Sequence, residues 1–246
     1  MVPKEKIRQR ADERYSEEQK KYEQKATARK EKSDKTGKKP RGPKPKPPAL
    51  GPSDKDQVNL TDEESRIMPS KRSFVQAYNA QASVDLDPML IVSSHVSQSP
   101  NDKQGIEPTL EALTSLPETV GGVHTLIAVS GYFSEANVKT CTETDIEPLI
   151  ATGRQKHNQT LQERFGHPEA LGENAGPVGS MRHRLKTDEG RRLYGKQKST
   201  VEPGFGIIKQ VMGFRQFHLR GLEAVNGEWI LASIAWNLKR MFALSG

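Results

Sequence analysis

The sequence has a single cysteine, few aromatic residues and no long apolar run. Cys141 is the only cysteine among 246 residues, so an intrachain disulfide is excluded and a reducing cytoplasm is the expected location. No apolar stretch approaches the roughly 18 residues that a membrane-spanning helix needs, and the N-terminus lacks the apolar core of a signal peptide. Hydrophobic residues make up 33% of the chain and charged residues 28%, so only part of it can build a core.

The positive charge of the chain is confined to its first fifth. The formal net charge is +7; residues 1–50 contain 17 Lys or Arg and 8 Asp or Glu, whereas the remainder contains 21 and 23. A basic segment favours polyanionic partners, nucleic acid first. A plain soluble tether is the alternative interpretation. The cations expected to contact DNA phosphates are Lys38, Lys39, Arg41, Lys44, Lys46 and, in the folded part, Lys198.

Composition divides the chain into three parts. Residues 1–36 are rich in charged helix formers and predict a solvated helix. Residues 37–58 are rich in Pro, Gly and Lys and predict an extended, flexible linker. Residues 59–246 form the folded part, in which the polar stretch 154–186 is expected to be a loop or insertion.

The folded part alternates strand-like and helix-like segments. Thr61-Asp-Glu-Glu64 has the spacing of a helix capping box, and Pro203 either opens a helix of its own or kinks a longer one. The order of elements predicts a mixed sheet flanked by helices, in the α/β class. Strands are expected at 74–84, 89–92, 124–129 and 146–151, a hairpin turn at 85–88, and helices at 102–116, 134–143, 187–198 and 229–244.

Several side chains have simple structural interpretations. Asp102 is expected to cap its helix, with approach to an active centre as the alternative, and Cys141 is expected to be buried. The last helix is expected to direct Ile230, Ile234, Leu238 and Met241 inward. Core positions are also expected for Tyr132, Phe133, Trp229 and Trp236, and solvent-facing positions for His157, His167 and His183.

Glu202 is the strongest candidate for catalysis. It lies between Tyr194 and Lys209, and a carboxylate near the start of a helix is favoured by the helix dipole and binds hard cations through oxygen. Lys209 is seven residues further on, so it lies on the same helical face. A carboxylate with a lysine on one face suits a metal-assisted reaction at phosphate. The alternative is an ordinary solvated face of Glu and Lys.

The segment from His124 to Asn137 is interpreted as a buried strand, a glycine turn and a helix start. The end of such a strand is a place where enzymes set a catalytic carboxylate. Val129 occupies that position. Ser134 is expected to cap the helix that follows it, and Thr187 to cap the helix that ends at Lys198.

An ordered series of motifs from about residue 59 to 242 resembles bacterial insertion-sequence transposases of the DDE type. The segment Tyr194-Gly-Lys-Gln-Lys-Ser-Thr-Val-Glu202-Pro-Gly-Phe-Gly-Ile-Ile-Lys209 is similar to the C-terminal signature of that family. The other matching motifs are Asp62-Glu-Glu-Ser-Arg-Ile-Met68, Tyr78-Asn-Ala-Gln-Ala-Ser-Val-Asp85, Asn101-Asp-Lys103, Gly131-Tyr-Phe-Ser-Glu-Ala-Asn137, Ile150-Ala-Thr-Gly-Arg-Gln-Lys156, Gly213-Phe-Arg-Gln-Phe217, Leu219-Arg-Gly-Leu222 and Glu228-Trp.

The resemblance implies an RNase H-like fold, incomplete at its N-terminal end. In such enzymes two Asp and one Glu bind two divalent cations, Mg²⁺ or Mn²⁺, which drive cleavage and transfer of DNA strands at transposon ends. Glu202 corresponds to the Glu, with Lys209 and Tyr194 in supporting positions. Val129 stands where the second Asp belongs, and no strand carrying the first Asp precedes residue 59.

A truncated and catalytically impaired transposase is therefore expected, in which Glu202 alone would contact a metal. Its expected partners are DNA and a full-length transposase, with no membrane, in the bacterial cytoplasm and at the nucleoid when bound to DNA. The alternatives are a non-catalytic basic DNA-binding or transposase-inhibiting protein, and an active nuclease with substitute carboxylates.

Overall fold

The computed structural model describes residues 3–38, 40–53, 56–70, 73–153, 160, 166, 168, 170–172 and 175–246. The chain forms two compact units, Met1–Glu63 and Glu64–Gly246. The division into 1–36, 37–58 and 59–246 remains a prediction. No described helix combines the length and the apolar content needed to cross a bilayer.

The first unit consists of helix α1, Pro3–Thr36, and the segment that follows it. Arg29 donates to the carbonyls of Pro40 at 2.7 Å and Gly42 at 3.0 Å. Arg14, further toward the N-terminus, donates to the Gly51 carbonyl at 3.0 Å. The arginine nearer the start of α1 binds the carbonyl that lies further along the segment. The described residues of the segment therefore run antiparallel to α1. The predicted free linker is therefore anchored by arginine–carbonyl hydrogen bonds.

The described strands of the second unit form three separate two-stranded sheets. Antiparallel pairs join β1 (Arg66–Ser70) to β2 (Ser73–Ala77) and β3 (Asn79–Val84) to β4 (Ile91–Ser97). A parallel pair joins β5 (Thr125–Ala128) to β6 (Glu147–Ile150). The prediction of one mixed sheet is wrong for the described residues, because no described strand pairs with the second edge of β3 or of β5.

Two local strand predictions are corrected as well. The apolar run 74–84 contains two strands, β2 and β3, which Tyr78 separates. The capping-box motif at Thr61 starts no helix, and the chain enters β1 two residues after Glu64. The hairpin turn between β3 and β4 is confirmed, since Asp85 N–H donates to the Leu90 carbonyl at 2.9 Å.

Five α-helices complete the described part of the second unit: α2 (Ile106–Thr114), α3 (Glu135–Glu143), α4 (Pro177–Arg184), α5 (Asp188–Gln210) and α6 (Leu222–Leu244). The predicted caps at Ser134 and Thr187 are confirmed: Ser134 Oγ accepts from Asn137 N–H, and Thr187 Oγ1 accepts from Gly190 N–H. Three short 3₁₀ turns are Asp102–Gly105, Glu118–Val120 and Ser130–Tyr132.

Helix α4 lies within the stretch 154–186, where a loop was expected. Its first residue is Pro177, and proline is well tolerated in the first helical turn because its missing N–H would be unpaired there anyway. His183 lies in its last turn. His157 and His167 lie outside the described residues.

The apolar side chains form two distinct cores. The first joins α2, α3, β5 and β6, and its buried members include Leu110, Val138, Cys141 and Ile150. Tyr132 and Phe133 pack against it, and the predicted burial of Cys141 is confirmed. The second core joins β3, β4, α5 and α6 around Trp229 and Trp236, as their predicted core positions require.

The side of helix α6 that packs against the second core is not the predicted one. Ile230, Ile234, Leu238 and Met241 are 39%, 48%, 62% and 55% exposed. The helix is apolar on both sides, and the buried side is the one that also carries Asn226 and Asn237. Asn226 Oδ1 accepts from Val96 N–H at 3.0 Å, and the Asn237 amide bonds both the N–H and the carbonyl of Ile91 at 2.8 Å. These bonds satisfy the outer edge of β4 and set the orientation of the helix.

Candidate active site

A cleft of about 810 Å³ brings the main candidate residues together in the second unit. The cleft is lined by β3 from Ala80 to Val84 and by β5 from Thr125 to Ala128. Helix α2 contributes Ile106 and Leu113, and α5 contributes Phe205. Four polar or charged candidates, Asp102, Tyr132, Glu202 and Lys209, also line it, as does Val129.

One wall of the cleft is a hydrogen-bonded network centred on Gln81. This side chain is only 5% exposed. Its amide nitrogen donates to Asn79 Oδ1 at 2.9 Å and to Asp102 Oδ1 at 3.3 Å, and its amide oxygen accepts from the Tyr132 hydroxyl. Asn79 Nδ2 also donates to Asp102 Oδ1, at 2.9 Å. The network joins three segments that are far apart in the sequence.

Asp102 therefore does not cap its helix as expected. Asn101 caps the 3₁₀ turn instead, since its side chain accepts from Lys103 N–H. The Asp102 carboxylate is free to accept from two amides of β3. A Cβ on Gly131 would lie 2.8 Å from Asp102 Oδ2, so the glycine of the Gly131-Tyr-Phe motif permits the close approach of the turn to this carboxylate.

The environment of Tyr132 favours its neutral form. Burial raises the pKa of the phenol to about 12, with a further contribution from the negative charge of Asp102. Tyr132 thus acts at neutral pH as a hydrogen-bond donor to Gln81. Asn137 supports the turn, because its amide donates to the carbonyls of Tyr132 at 2.8 Å and Lys103 at 2.9 Å.

Val129 directly follows β5 and precedes the 3₁₀ turn of Ser130–Tyr132. It is 39% exposed and lines the cleft. Its carbonyl accepts from Tyr132 N–H at 3.1 Å. The strand–turn–helix predicted for 124–137 is confirmed, and an apolar side chain occupies the end of its strand.

The other wall is the face of α5 that carries Glu202 and Lys209, and both side chains are exposed. Lys209 Nζ lies 5.9 Å from the ring centroid of Phe205, within the range of a cation–π contact. The helix begins at Asp188 and continues through Pro203 to Gln210. Glu202 is therefore in mid-helix, and the expected dipole stabilisation near a helix start is wrong, because that effect fades beyond the first turn.

The remaining candidates lie away from this cleft or outside the described residues. Tyr194 is half-buried on α5, where burial raises the pKa of its phenol, and it is not among the described residues lining the cleft. Lys38, Arg41, Lys44 and Lys46 are exposed in the first unit. Lys39 and the side chain of Lys198 lie outside the described part of the chain.

Residues 41–238 match the family model of the transposase DDE domain. The chain belongs to the DDE transposase family. Neither a curated protein nor a solved structure matches it. Members of this family act on DNA and generally use divalent metal ions. The cleft with Glu202 and Lys209 is therefore the candidate metal site of this transposase chain.

The described side chains of this cleft do not fit a catalytic metal pair. Among the described residues no group of three or more His, Cys, Asp or Glu side chains is placed to hold an ion. The Val129 side chain has no oxygen, and Asp102 Oδ1 already accepts hydrogen bonds from Asn79 and Gln81. Hard cations such as Mg²⁺ require several oxygen ligands at once.

The residues that sequence reasoning missed are the network members Asn79 and Gln81, whereas Asp102 had been considered as a residue near an active centre. Asn79 and Gln81 both lie in the motif Tyr78-Asn-Ala-Gln. Their position within a motif that resembles the family was the available signal. Only the fold shows that they meet.

Proposed function

We propose that this chain is a DNA-binding member of the DDE transposase family in which strand cleavage is disabled. Val129 carries the proposal. It directly follows β5 and lines the same cleft as Asp102 and Glu202. We assign Glu202 to the third carboxylate of the family, Val129 to the position of the second Asp, and Lys209 to a supporting contact with DNA phosphate.

We also assign the second unit to an RNase H-like fold. The antiparallel hairpin of β3 and β4 is followed by α2, β5, α3 and β6, and the last two strands are parallel. A parallel pair connected through a helix is the βαβ unit typical of α/β folds. This order supports the assignment and places residue 129 at the carboxyl end of a strand, where catalytic groups of such sheets collect.

Loss of one carboxylate has a large effect on a metal site of this kind. The two ions of a phosphoryl-transfer centre activate the nucleophile and stabilise the leaving oxygen, and shared carboxylates hold them in place. Substitution of an aspartate by valine removes both a charge and two ligand atoms. Mg²⁺ or Mn²⁺ binding is therefore expected to be weak and strand cleavage absent.

DNA binding is assigned to the exposed cations Lys38, Arg41, Lys44 and Lys46. They lie on or near the segment that α1 holds through Arg14 and Arg29. Contacts of lysine and arginine with phosphates release counterions, so affinity is expected to fall steeply with salt and to be independent of base sequence.

Fluorescence anisotropy with a labelled duplex at several salt concentrations tests this assignment. A variant with these four cations replaced by Gln is expected to reduce the slope of log affinity against log salt by about 3 to 4, since each phosphate contact contributes roughly 0.9. The matched control replaces Lys20, Lys21, Lys25 and Lys30, which are exposed on α1. An equal loss in both variants would show that only total charge matters.

A transposase-inhibiting role is the second candidate, favoured by the exposed apolar stripe on α6. Leu231, Leu238 and Phe242 are 67%, 62% and 82% exposed, and exposed apolar patches mark interaction surfaces. Pairing with a full-length transposase would place a disabled subunit in the active assembly. Co-purification of the two chains that Leu238→Glu abolishes would support this role, and an unchanged yield would contradict it.

A further inference from the structure

The edge of β3 that faces away from β4 carries backbone groups for which no hydrogen-bond partner is found among the described residues. Ala80 lies opposite Val96, whose N–H bonds outward to Asn226 at 3.0 Å. Opposite residues of an antiparallel pair direct their backbone groups the same way, either both inward or both outward. The N–H and carbonyl of Ala80, and by alternation those of Ala82, therefore point away from β4.

The free edge of β5 is defined by its bonds to β6. The carbonyls of His124 and Ala128 accept from the N–H groups of Glu147 at 2.9 Å and Ala151 at 3.1 Å. In a parallel pair, alternate residues of a strand face the partner. The backbone groups of Thr125 and Ile127 therefore point away from β6, and no hydrogen bond to them is found among the described residues.

Both free edges line the same cleft. Residues 80–84 of β3 and 125–128 of β5 all contribute to its surface. The two strands are tied together at one end, because the hydroxyl of Tyr132 in the turn after β5 donates to the Gln81 side chain of β3. Unpaired strand edges are templates for a further strand.

The cleft is also lined by members of both apolar cores. Ile106 and Leu113 of the first core line it, as do Ala80, Ala82 and Phe205 of the second. A compact domain usually has one contiguous core. A strand in this cleft would contact the first core on one face and the second core on the other.

We propose that the cleft binds one extended strand of another polypeptide, which pairs with β3 on one side and with β5 on the other. The two sheets then become a single five-stranded sheet. Because helices cover both faces of the cleft, the inserted strand is apolar on both faces and rich in β-branched residues, as in buried strands. Backbone hydrogen bonds supply the affinity, as in other cases of strand addition.

Hydrogen exchange of the full chain, followed by NMR, tests the insertion. The probe is a synthetic peptide of six alternating valine and isoleucine residues, which is apolar on both faces of a strand, with two lysines at each end. The amides of Ala80, Ala82, Thr125 and Ile127 are expected to exchange quickly in the free chain and at least tenfold more slowly with saturating peptide. The amides of Leu126 and Ala128, which face β6, are internal controls that exchange slowly in both states.

Two N-methylated forms of the peptide separate one edge from the other. Successive N–H groups of a strand point to opposite sides, so methylation of the even residues blocks one edge and methylation of the odd residues blocks the other. Each form is expected to bind at least tenfold more weakly, with unchanged charge. A loss for only one form would overturn insertion between the two strands.

Three further results would overturn the proposal. Slow exchange of Ala80, Ala82, Thr125 and Ile127 in the monomeric free chain would mean that the chain itself fills the cleft. The same protection with a dimeric sedimentation coefficient would mean that a second copy fills it. Fast exchange that no concentration of the peptide changes would mean that the edges accept no strand.

Discussion

The two walls of the cleft differ in how firmly their side chains are held. On the wall formed by β3 and the two 3₁₀ turns, Gln81, Asp102 and Tyr132 are linked by hydrogen bonds, and a glycine allows their close approach. On the wall formed by α5, Glu202 and Lys209 are exposed. The first wall is held together by buried hydrogen bonds, whereas the second exposes its charged groups at the cleft.

Under the proposed assignment of Val129 to the position of the second Asp, this difference explains how the chain keeps its fold without that carboxylate. Val129 is 39% exposed at the end of β5, so an aspartate or a valine there leaves the packing of the first core nearly unchanged. Substitutions in the network, by contrast, leave buried polar groups without partners, which costs about 1–3 kcal/mol each.

Gln81→Ala is expected to cause the largest loss of stability. It removes the side chain that bonds Asn79, Asp102 and Tyr132, so we expect the free energy of unfolding to fall by about 3 kcal/mol. Urea denaturation measures this quantity. Gln104→Ala is the matched control, since Gln104 is exposed on the same wall, and a similar loss in both would show that the network contributes nothing specific.

Gly131→Ala is expected to destabilise the chain by about 2 kcal/mol, a typical cost of overpacking, because the added methyl group must displace the hydrogen-bonded Asp102 carboxylate. The new methyl group would meet Asp102 Oδ2 at 2.8 Å. In a double-mutant cycle, Asp102→Ala should relieve most of that penalty. Strictly additive losses would contradict the proposed close contact.

Tyr132 is expected to make stability sensitive to alkaline pH. Its pKa in the folded chain is raised to about 12, above the value of roughly 10 for an unfolded tyrosine. The neutral phenol is thus favoured by folding, so its contribution is complete below pH 10 and is lost as the pH rises from 10 to 12. Comparison of urea midpoints at pH 9 and pH 11.5 measures this loss.

Tyr132→Phe provides the control for that experiment. It should lower stability by about 1 kcal/mol at pH 9, where the hydrogen bond to Gln81 is intact in the parent chain. Its stability should then fall less than that of the parent between the two pH values. Parallel declines would indicate that other groups determine the alkaline response.

Glu202→Ala is expected to have the smallest effect on stability, within about 0.5 kcal/mol. The side chain is exposed in mid-helix, and alanine is the best helix former. Thermal denaturation at neutral pH measures the change. A loss of more than 1 kcal/mol would mean that Glu202 has a structural role and that the contrast between the two walls is wrong.

Local signals in the sequence predicted much of the second unit. The caps at Ser134 and Thr187, the hairpin after β3 and the strand ending at Ala128 follow from short-range chemistry. The errors have longer-range causes. The face of α6 was wrong because both of its sides are apolar, and bonds from Asn226 and Asn237 to β4 decide between them.

Part of the candidate site was also predictable from local motifs in the sequence. Motif spacing led to Glu202, Lys209 and Val129, and all three line one cleft. The environment of Glu202 was not predictable, because the helix continues through Pro203 and removes the expected N-terminal position. The role of Asp102 required knowing that β3 supplies Asn79 and Gln81 to it.

Nicking of supercoiled plasmid DNA by the purified chain in the presence of Mg²⁺ or Mn²⁺ tests the central claim most directly. We expect no cleavage above that of the Glu202→Ala variant, because Val129 leaves the proposed site without a required carboxylate. Metal-dependent nicking that Glu202→Ala abolishes would contradict it and would show that substitute carboxylates complete a working site.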